Sequence, residues 1–138
     1  MISASKRIDY AIMLMASLPD YGAKHYRSLQ DVAAERKLSA GFLGQVMMPL
    51  KKASLVIAKE GASGGYQLSK PSEDISLSEV VEAIEGPLRL TNCQNVDRRC
   101  VCEQTCPTKG LWSDLQSLMN TYLQRRSVAD FRKSSHRP

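Results

Sequence analysis

The apolar residues at the start of the chain recur at helical spacing. Ile8, Ala11 and Met15 share one face of the pattern, and Pro19 follows shortly afterwards. An apolar face of this period is typical of an amphipathic helix, and proline commonly ends such a helix. The pattern therefore predicts a first buried helix over residues 6–18.

Two further helices are predicted close together after a polar loop. Ser28 and Ser39 each stand immediately before a helical apolar pattern, where a hydroxyl caps the free backbone N–H groups. The first of these helices ends near Lys37, and the chain turns at Leu38. Because so short a turn joins them, the two helices form a helix-turn-helix.

The period of the pattern then changes from helix to strand. Residues 55–58 and 66–68 form two short apolar segments, and the glycine-rich segment 59–65 links them. The link lacks the Gly-Lys-Ser/Thr ending of a nucleotide-binding loop, and a strand rather than a helix follows it. We therefore interpret this part of the chain as a β-hairpin, and a helix-turn-helix with a hairpin makes a winged helix.

Two more helices are predicted in the second half of the chain. Ser76 and Glu79 have the spacing of a capping box, and a long helix is predicted over residues 110–126. The apolar stripe of this long helix consists of Leu111, Leu115, Leu118 and Tyr122. The stripe either completes the core of one protomer or pairs two protomers. We favour pairing, because helix-turn-helix DNA readers commonly bind as dimers.

Charge favours a polyanionic partner. The net charge is +5, and residues 1–60 alone carry nine basic and five acidic side chains. A basic region of this kind favours nucleic acid. No segment approaches the roughly 20 apolar residues of a membrane span, and the only two histidines, His25 and His136, form no catalytic pattern. We therefore expect a cytoplasmic protein that is not an enzyme and binds no membrane.

A helix-turn-helix reads DNA by placing its second helix in the major groove. Gln45 is the one side chain there that is suited to bidentate base recognition, and adenine is its natural match. Ser39 lies at the start of the same helix, among the side chains expected to reach base edges. The side chains expected to contact phosphates are Arg7, Ser28, Lys51 and Lys59.

The predicted elements together define a mainly α fold with a small β-hairpin wing. The winged helix-turn-helix DNA-binding region covers residues 1–70, and a connecting helix and link cover 71–92. A cysteine-rich loop follows over 93–109, and a long C-terminal dimerisation helix with its tail covers 110–138.

All four cysteines of the chain fall within fourteen residues, at Cys93, Cys100, Cys102 and Cys106. The intervening residues are mostly polar and provide little apolar surface for the thiols. Thiolates are soft ligands, so such a segment can wrap a soft metal or an iron–sulfur cluster. Zinc or free redox-active thiols are the alternatives, although the paired Cys-x-x-Cys spacing of common zinc sites is absent.

With these motifs in place, the chain resembles the IscR/NsrR family of winged-helix transcriptional regulators over nearly its whole length. The similar segments are the opening helix at 5–11, the recognition helix and its exit at 43–56, the wing at 61–66, and Cys106 followed by Gly-Leu-Trp at 110–112. The resemblance implies a homodimer that binds double-stranded operator DNA. For some members it also implies an iron–sulfur cluster near the dimer interface, whose loss changes DNA affinity.

The ligands that the resemblance implies for a 2Fe–2S or 4Fe–4S cluster are Cys93, Cys100 and Cys106. IscR-type members place a histidine where this chain has Lys109, and a protonated lysine has no free lone pair. We therefore expect the fourth ligand to be either Cys102 or Asp9 of the partner subunit. Asp9 aligns with an aspartate that ligates the cluster in NsrR-like members.

Two further positions depart from the IscR-type pattern. Glu60 stands in the wing where those members have arginine, and Lys59 is the cation that could replace it. Gly44 replaces a glutamate that helps those members choose between operator classes, so we expect a different operator. Gly41 and Gly44 are either tolerated in the helix at a cost of about 1 kcal/mol each, or let the backbone approach DNA closely.

Overall fold

A computed structural model describes residues 5–91 and 104–132 of the chain. The helices of this part are α1 (Lys6–Ser17), α2 (Leu29–Arg36), α3 (Ala40–Lys52), α4 (Leu77–Glu85), α5 (Lys109–Arg125) and α6 (Ala129–Arg132). The strands are β1 (Val56–Lys59) and β2 (Gly65–Leu68), and a 3₁₀ turn spans Ser72–Asp74. The predicted mainly helical fold with one hairpin is confirmed.

A serine occupies the N-cap position of four helices, and each serine hydroxyl accepts a hydrogen bond from the backbone N–H three residues further on. The four caps are Ser5, Ser28, Ser39 and Ser76. At Ser76 the Glu79 carboxylate accepts in return from the Ser76 N–H at 2.9 Å, which completes the predicted capping box. A cap of this kind typically stabilises a helix by about 1 kcal/mol. The caps predicted at Ser28, Ser39 and Ser76 are thus confirmed.

The helix-turn-helix packs around α3, which contacts α1, α2 and α4. A left-handed residue, Lys37 at φ 56°, joins α2 to the turn before α3. The buried face of α3 consists of Leu43, Val46, Met47 and Leu50. These side chains recur at the helical spacing seen in the sequence, so the opposite face of α3 is left to solvent.

The wing is an antiparallel hairpin whose register runs from Val56 opposite Leu68 to Lys59 opposite Gly65. Arg27, just before α2, pairs with the second strand of the hairpin. Its N–H donates to the Tyr66 carbonyl at 3.0 Å, and its carbonyl accepts from the Tyr66 N–H at 2.8 Å. Gly65 allows this approach. Its φ is +148°, and a Cβ there would lie 2.5 Å from the Arg27 carbonyl.

The first strand begins one residue later than predicted. The sequence suggested residues 55–58, whereas β1 covers Val56–Lys59. The reason is local: the Leu55 N–H still bonds to the Leu50 carbonyl at the exit of α3, at 3.1 Å. Leu55 is buried in the core rather than paired in the ladder.

The end of the chain returns to the core after α5. Val128 is fully buried, and its N–H bonds to the Ile75 carbonyl at 3.0 Å. Arg132 donates to the Leu18 carbonyl at 2.6 Å, so α6 is tied to the end of α1. Arg132 is the last residue of α6, and residues 133–138 lie outside the described part.

No helix among the described residues has both the length and the apolar character needed to cross a membrane.

Candidate DNA-reading surface and cysteine segment

The exposed side of α3 carries the side chain predicted to read bases. Gln45 lies on this side, opposite the core residues of the same helix. Ser39 is exposed at the start of the helix, where its hydroxyl accepts from the Phe42 N–H at 3.3 Å. A capping serine keeps its own O–H free to donate, so Ser39 remains suited to a phosphate contact.

Ser28 occupies the equivalent place at the start of α2. Its hydroxyl accepts from the Asp31 N–H at 3.1 Å, and the side chain is half-buried. Helix N-termini attract phosphates through their free N–H groups and the positive end of the helix dipole. Ser28, a predicted phosphate contact, and Ser39, predicted among the side chains that reach base edges, thus lie at the starts of the two helices of the helix-turn-helix.

Two of the predicted basic contacts lie over tyrosine rings. The Lys51 ammonium is 5.9 Å from the centre of the Tyr66 ring, and the Lys59 ammonium is 5.6 Å from that of Tyr26. Such cation–π contacts contribute about 0.5–1 kcal/mol at exposed sites. Because Tyr66 pairs with Arg27, next to Tyr26, these contacts join the end of α3 to the wing and to the start of α2.

The sequence analysis did not single out these two tyrosines. Tyr26 stands beside Arg27 in the sequence, but Tyr66 has no basic neighbour, so the contacts with the two lysines become apparent only when the hairpin register is known. Arg7, the remaining predicted phosphate contact, is exposed on the first turn of α1, and Glu60 is exposed at the tip of the wing.

Most of the cysteine segment lies outside the described residues. Cys93, Cys100 and Cys102 belong to that part, so their predicted arrangement is not tested. Cys106 is half-exposed just before α5, and its sulfur lies 3.4 Å from the Thr108 hydroxyl. Hydrogen bonds from the side chain and backbone of Thr108 lower the pKa of the Cys106 thiol. A thiol that ionises readily suits metal ligation.

The other residues predicted near the cluster are also exposed. Asp9 lies on the first turn of α1, and Lys109 is the first residue of α5. Among the described residues, no three His, Cys, Asp or Glu side chains come together as a metal site. The predicted ligand set would draw Cys93 and Cys100, and Cys102 where it is the fourth ligand, from the undescribed segment, so it remains a prediction.

The apolar stripe of α5 is left largely uncovered by the described residues of the protomer. None of the seventeen residues of α5 is buried, and Leu111, Leu118 and Tyr122 are 60%, 67% and 55% exposed. α5 packs on α4 with its other side. The described residues therefore do not make this stripe part of the protomer core, and pairing of two protomers through it remains a prediction.

The family comparison matches almost the whole chain. Residues 4–134 fit the model of the Rrf2 family, which is described as an iron-dependent transcriptional regulator. The helix-turn-helix-type regulator ORF2 of Azotobacter vinelandii is 34% identical over 121 residues, covering 88% of this chain and 73% of that protein. The regulator IscR of Vibrio atlanticus is 28% identical and covers 91% of this chain and 72% of its own.

Solved structures share the fold. CymR, the global cysteine regulator of Bacillus subtilis, superposes with a TM-score of 0.81 at 26% identity, covering 97% of this chain and 98% of CymR. IscR of T. potens superposes with a TM-score of 0.73 at 25% identity, covering 98% of this chain and 89% of that one. These likenesses confirm the winged-helix fold with its long C-terminal helix.

The names of the relatives also bear on activity. They are transcriptional regulators, which bind DNA and catalyse no reaction, so the expectation that the chain is not an enzyme is confirmed. The family model matches nearly every residue, and the first relative is 34% identical over most of both chains. The protein belongs to the Rrf2 family of DNA-binding transcriptional regulators.

Proposed function

We propose that the protein is a homodimeric regulator whose affinity for operator DNA is controlled by an iron–sulfur cluster. The observation that supports DNA binding is the exposed side of α3. Lys51 at the end of this helix and Lys59 on the neighbouring wing each lie over a tyrosine ring. Such a regulator acts where the chromosome lies, so we place it in the cytoplasm.

The DNA-binding residues divide into two groups. Gln45 would read adenine in the major groove, because its amide can both donate to and accept from that base. The side chains proposed to hold phosphates are Arg7, Ser28, Ser39, Lys51 and Lys59. Phosphate contacts orient the protein on the duplex without reading sequence, so the two groups differ in what their loss does.

The cluster would be held by Cys93, Cys100 and Cys106, with Cys102 or Asp9 of the partner subunit as fourth ligand. The half-exposed Cys106 thiol with its lowered pKa fits a thiolate ligand, whereas Lys109 does not fit the histidine of IscR-type sites. When bound, an iron–sulfur cluster supplies sensitivity to oxidants, nitric oxide and iron supply.

The position of Cys106 suggests how the signal reaches DNA. This residue stands three positions before α5, the helix that carries the uncovered apolar stripe. Ligation would tie the cysteine segment to the start of that helix, and release of the thiolates would free it. The two DNA-binding regions of a dimer must match half-sites about 34 Å apart on the operator. A small rotation of the paired α5 helices would change the distance between these regions and therefore the operator affinity.

A second candidate is a regulator that uses zinc or free thiols. It is favoured by the CymR structures, one of which, from Staphylococcus aureus, is an oxidized form at 26% identity with a TM-score of 0.71. Four thiolates can also hold zinc tetrahedrally. A colourless anaerobic preparation with stoichiometric zinc, or with neither metal, would support this candidate.

The test of the main proposal combines metal analysis with DNA binding. Anaerobically purified protein is expected to absorb visible light and to contain stoichiometric iron. Operators selected from random DNA are expected to bind with an affinity that falls steeply with salt, because phosphate neutralisation releases counterions. Equal affinity of cluster-loaded and cluster-free protein at one salt concentration would contradict control by the cluster.

The two basic contacts supply a sharper test of the DNA-binding surface. Lys51→Ala and Lys59→Ala are each expected to weaken binding to all sequences alike and to reduce the salt slope by about 1. Lys51→Arg is the matched control, because it retains the charge and is expected to retain the slope. An unchanged slope in both alanine variants would place the DNA elsewhere on the protein.

Gly44→Ala is expected to stabilise the fold and to weaken operator binding. No atom lies within 4 Å of a Cβ built at Gly44, and glycine inside a helix costs about 1 kcal/mol relative to alanine. Urea unfolding should therefore show a gain of that order. On the proposed surface the added methyl group would hold the helix away from DNA. A more stable variant with unchanged operator affinity would show that Gly44 is merely tolerated.

A further inference from the structure

Met48 is the most exposed large apolar residue in the described chain, with 71% of its surface open to solvent. A single exposed apolar side chain is common and needs no explanation by itself. The position of this one is informative, however. Met48 lies on α3, away from the buried face that includes Met47 and Leu50. The other highly exposed apolar residues, apart from a loop tyrosine, lie mainly on α5.

Four positions on the side of α3 away from the core have the spacing of a DNA-reading helix. Gly41, Gly44, Gln45 and Met48 follow one another at i, i+3, i+4 and i+7, the same spacing as the base-contacting positions of a homeodomain recognition helix. Two of these four positions are glycines. Gln45 and Met48 are therefore the only members of the set with a side chain long enough to reach a base.

The surroundings of Met48 favour DNA over a protein partner. Lys51 and Lys52 follow on the last turn of α3, and both are exposed. Lys59 lies on the neighbouring wing. A single apolar side chain among cations and a polar amide complements a groove lined by phosphates, whereas protein-binding surfaces present several apolar residues together.

Resting on the DNA-binding function proposed above, we infer that Met48 is a specificity-determining residue that packs against the C5-methyl group of thymine. The thymine methyl is the one apolar group that base pairs present in the major groove, and apolar side chains recognise it by contact. Met48 lies three residues beyond Gln45, a rise of about 4.5 Å along the helix. Base pairs are about 3.4 Å apart, so the thymine lies next to the pair that Gln45 reads.

Deoxyuridine provides the test, because its base, uracil, differs from thymine only by the missing C5-methyl group. Each thymine of a selected half-site is replaced in turn by deoxyuridine, and the dissociation constant of wild-type protein is measured at fixed salt. One position is expected to weaken binding about fourfold, the contribution of one buried methyl group. Met48→Ala is expected to bind the thymine operator about fourfold more weakly than wild type does. Its dissociation constant should not change when deoxyuridine replaces thymidine at that position.

Met48→Leu is the matched control, since it keeps an apolar side chain and should keep the response to deoxyuridine. The substitutions lie on the surface, and thermal unfolding of each variant checks that the fold is intact. The inference is overturned if no single deoxyuridine weakens wild-type binding, or if Met48→Ala responds to it as wild type does. Wild-type protein that binds no DNA in a salt-dependent manner would overturn the proposed function as well, which distinguishes the two failures.

Discussion

Cys106→Ala is expected to remove the visible absorption of anaerobically purified protein together with nearly all of its iron. Cys106 is the one cysteine among the described residues, and its half-exposed thiol lies three positions before the start of α5, where it could act as a ligand. Alanine offers no lone pair, and a cluster generally needs all of its protein ligands. Operator affinity of the variant should equal that of cluster-free wild type.

The controls for this experiment separate ligation from folding. Cys106→Ser keeps the size and the hydrogen-bonding capacity of the side chain but removes the soft sulfur, so it should lose iron as well. Both variants should retain the unfolding temperature of cluster-free wild type, because Cys106 lies outside the buried core. Full iron content in Cys106→Ala would contradict the proposed ligand set.

The same measurement identifies the fourth ligand. If Cys102 is the fourth ligand, Cys102→Ala should lose iron and Asp9→Ala should retain it. If Asp9 of the partner subunit is the fourth ligand, Asp9→Ala should lose iron and Cys102→Ala should retain it. Asp9 is exposed on the first turn of α1, so its replacement should leave the fold intact. Asp114→Ala serves as a control carboxylate on the exposed surface of α5. Full iron in both test variants would exclude both candidates.

Leu118→Glu is expected to convert the proposed dimer into monomers and to abolish tight operator binding. Leu118 is 67% exposed at the middle of the apolar stripe on α5, with Tyr122 one turn further on. A carboxylate buried in an apolar interface without a partner costs several kcal/mol, and each dimer would bury two of them. The dimer dissociation constant should therefore rise at least about 100-fold, as measured by analytical ultracentrifugation.

Ser113→Glu is the matched control for the dimer experiment. Ser113 is also exposed on α5, but at 100° per residue it lies about 140° around the helix from Leu118. It should therefore leave the dimer and its operator affinity unchanged. A Leu118→Glu protein that remains dimeric at nanomolar concentration would show that α5 is not the interface.

Local signals predicted the fold well. Apolar spacing predicted the buried helices α1 and α3, and the serines at 28, 39 and 76 were placed correctly as caps. These features depend on residues within a few positions of one another, so a sequence pattern contains the whole cause. The return of the chain at Val128 was missed, because its burial depends on Ile75, more than fifty residues away.

In the candidate site, too, the sequence predicted some features and only the fold revealed others. Gln45, Lys51 and Lys59 were predicted from their positions on the helix and wing, but the tyrosine rings beneath the two lysines were not. Those contacts exist because the Arg27 and Tyr66 backbones pair across forty residues of chain. Likewise, the spacing of the α5 stripe showed an apolar face, and only the packed structure shows that nothing in the described protomer covers it.

The sequence by itself determined the helix-turn-helix, the hairpin, the capping residues and the family, because local spacing and short motifs carry each of them. Tertiary structure decided which apolar residues stay exposed. Met48 and Leu118 both belong to helical patterns, and a pattern alone does not say whether another element will cover a side chain. Burial is a property of the whole packed chain, so the exposure of these two side chains became visible only in the fold.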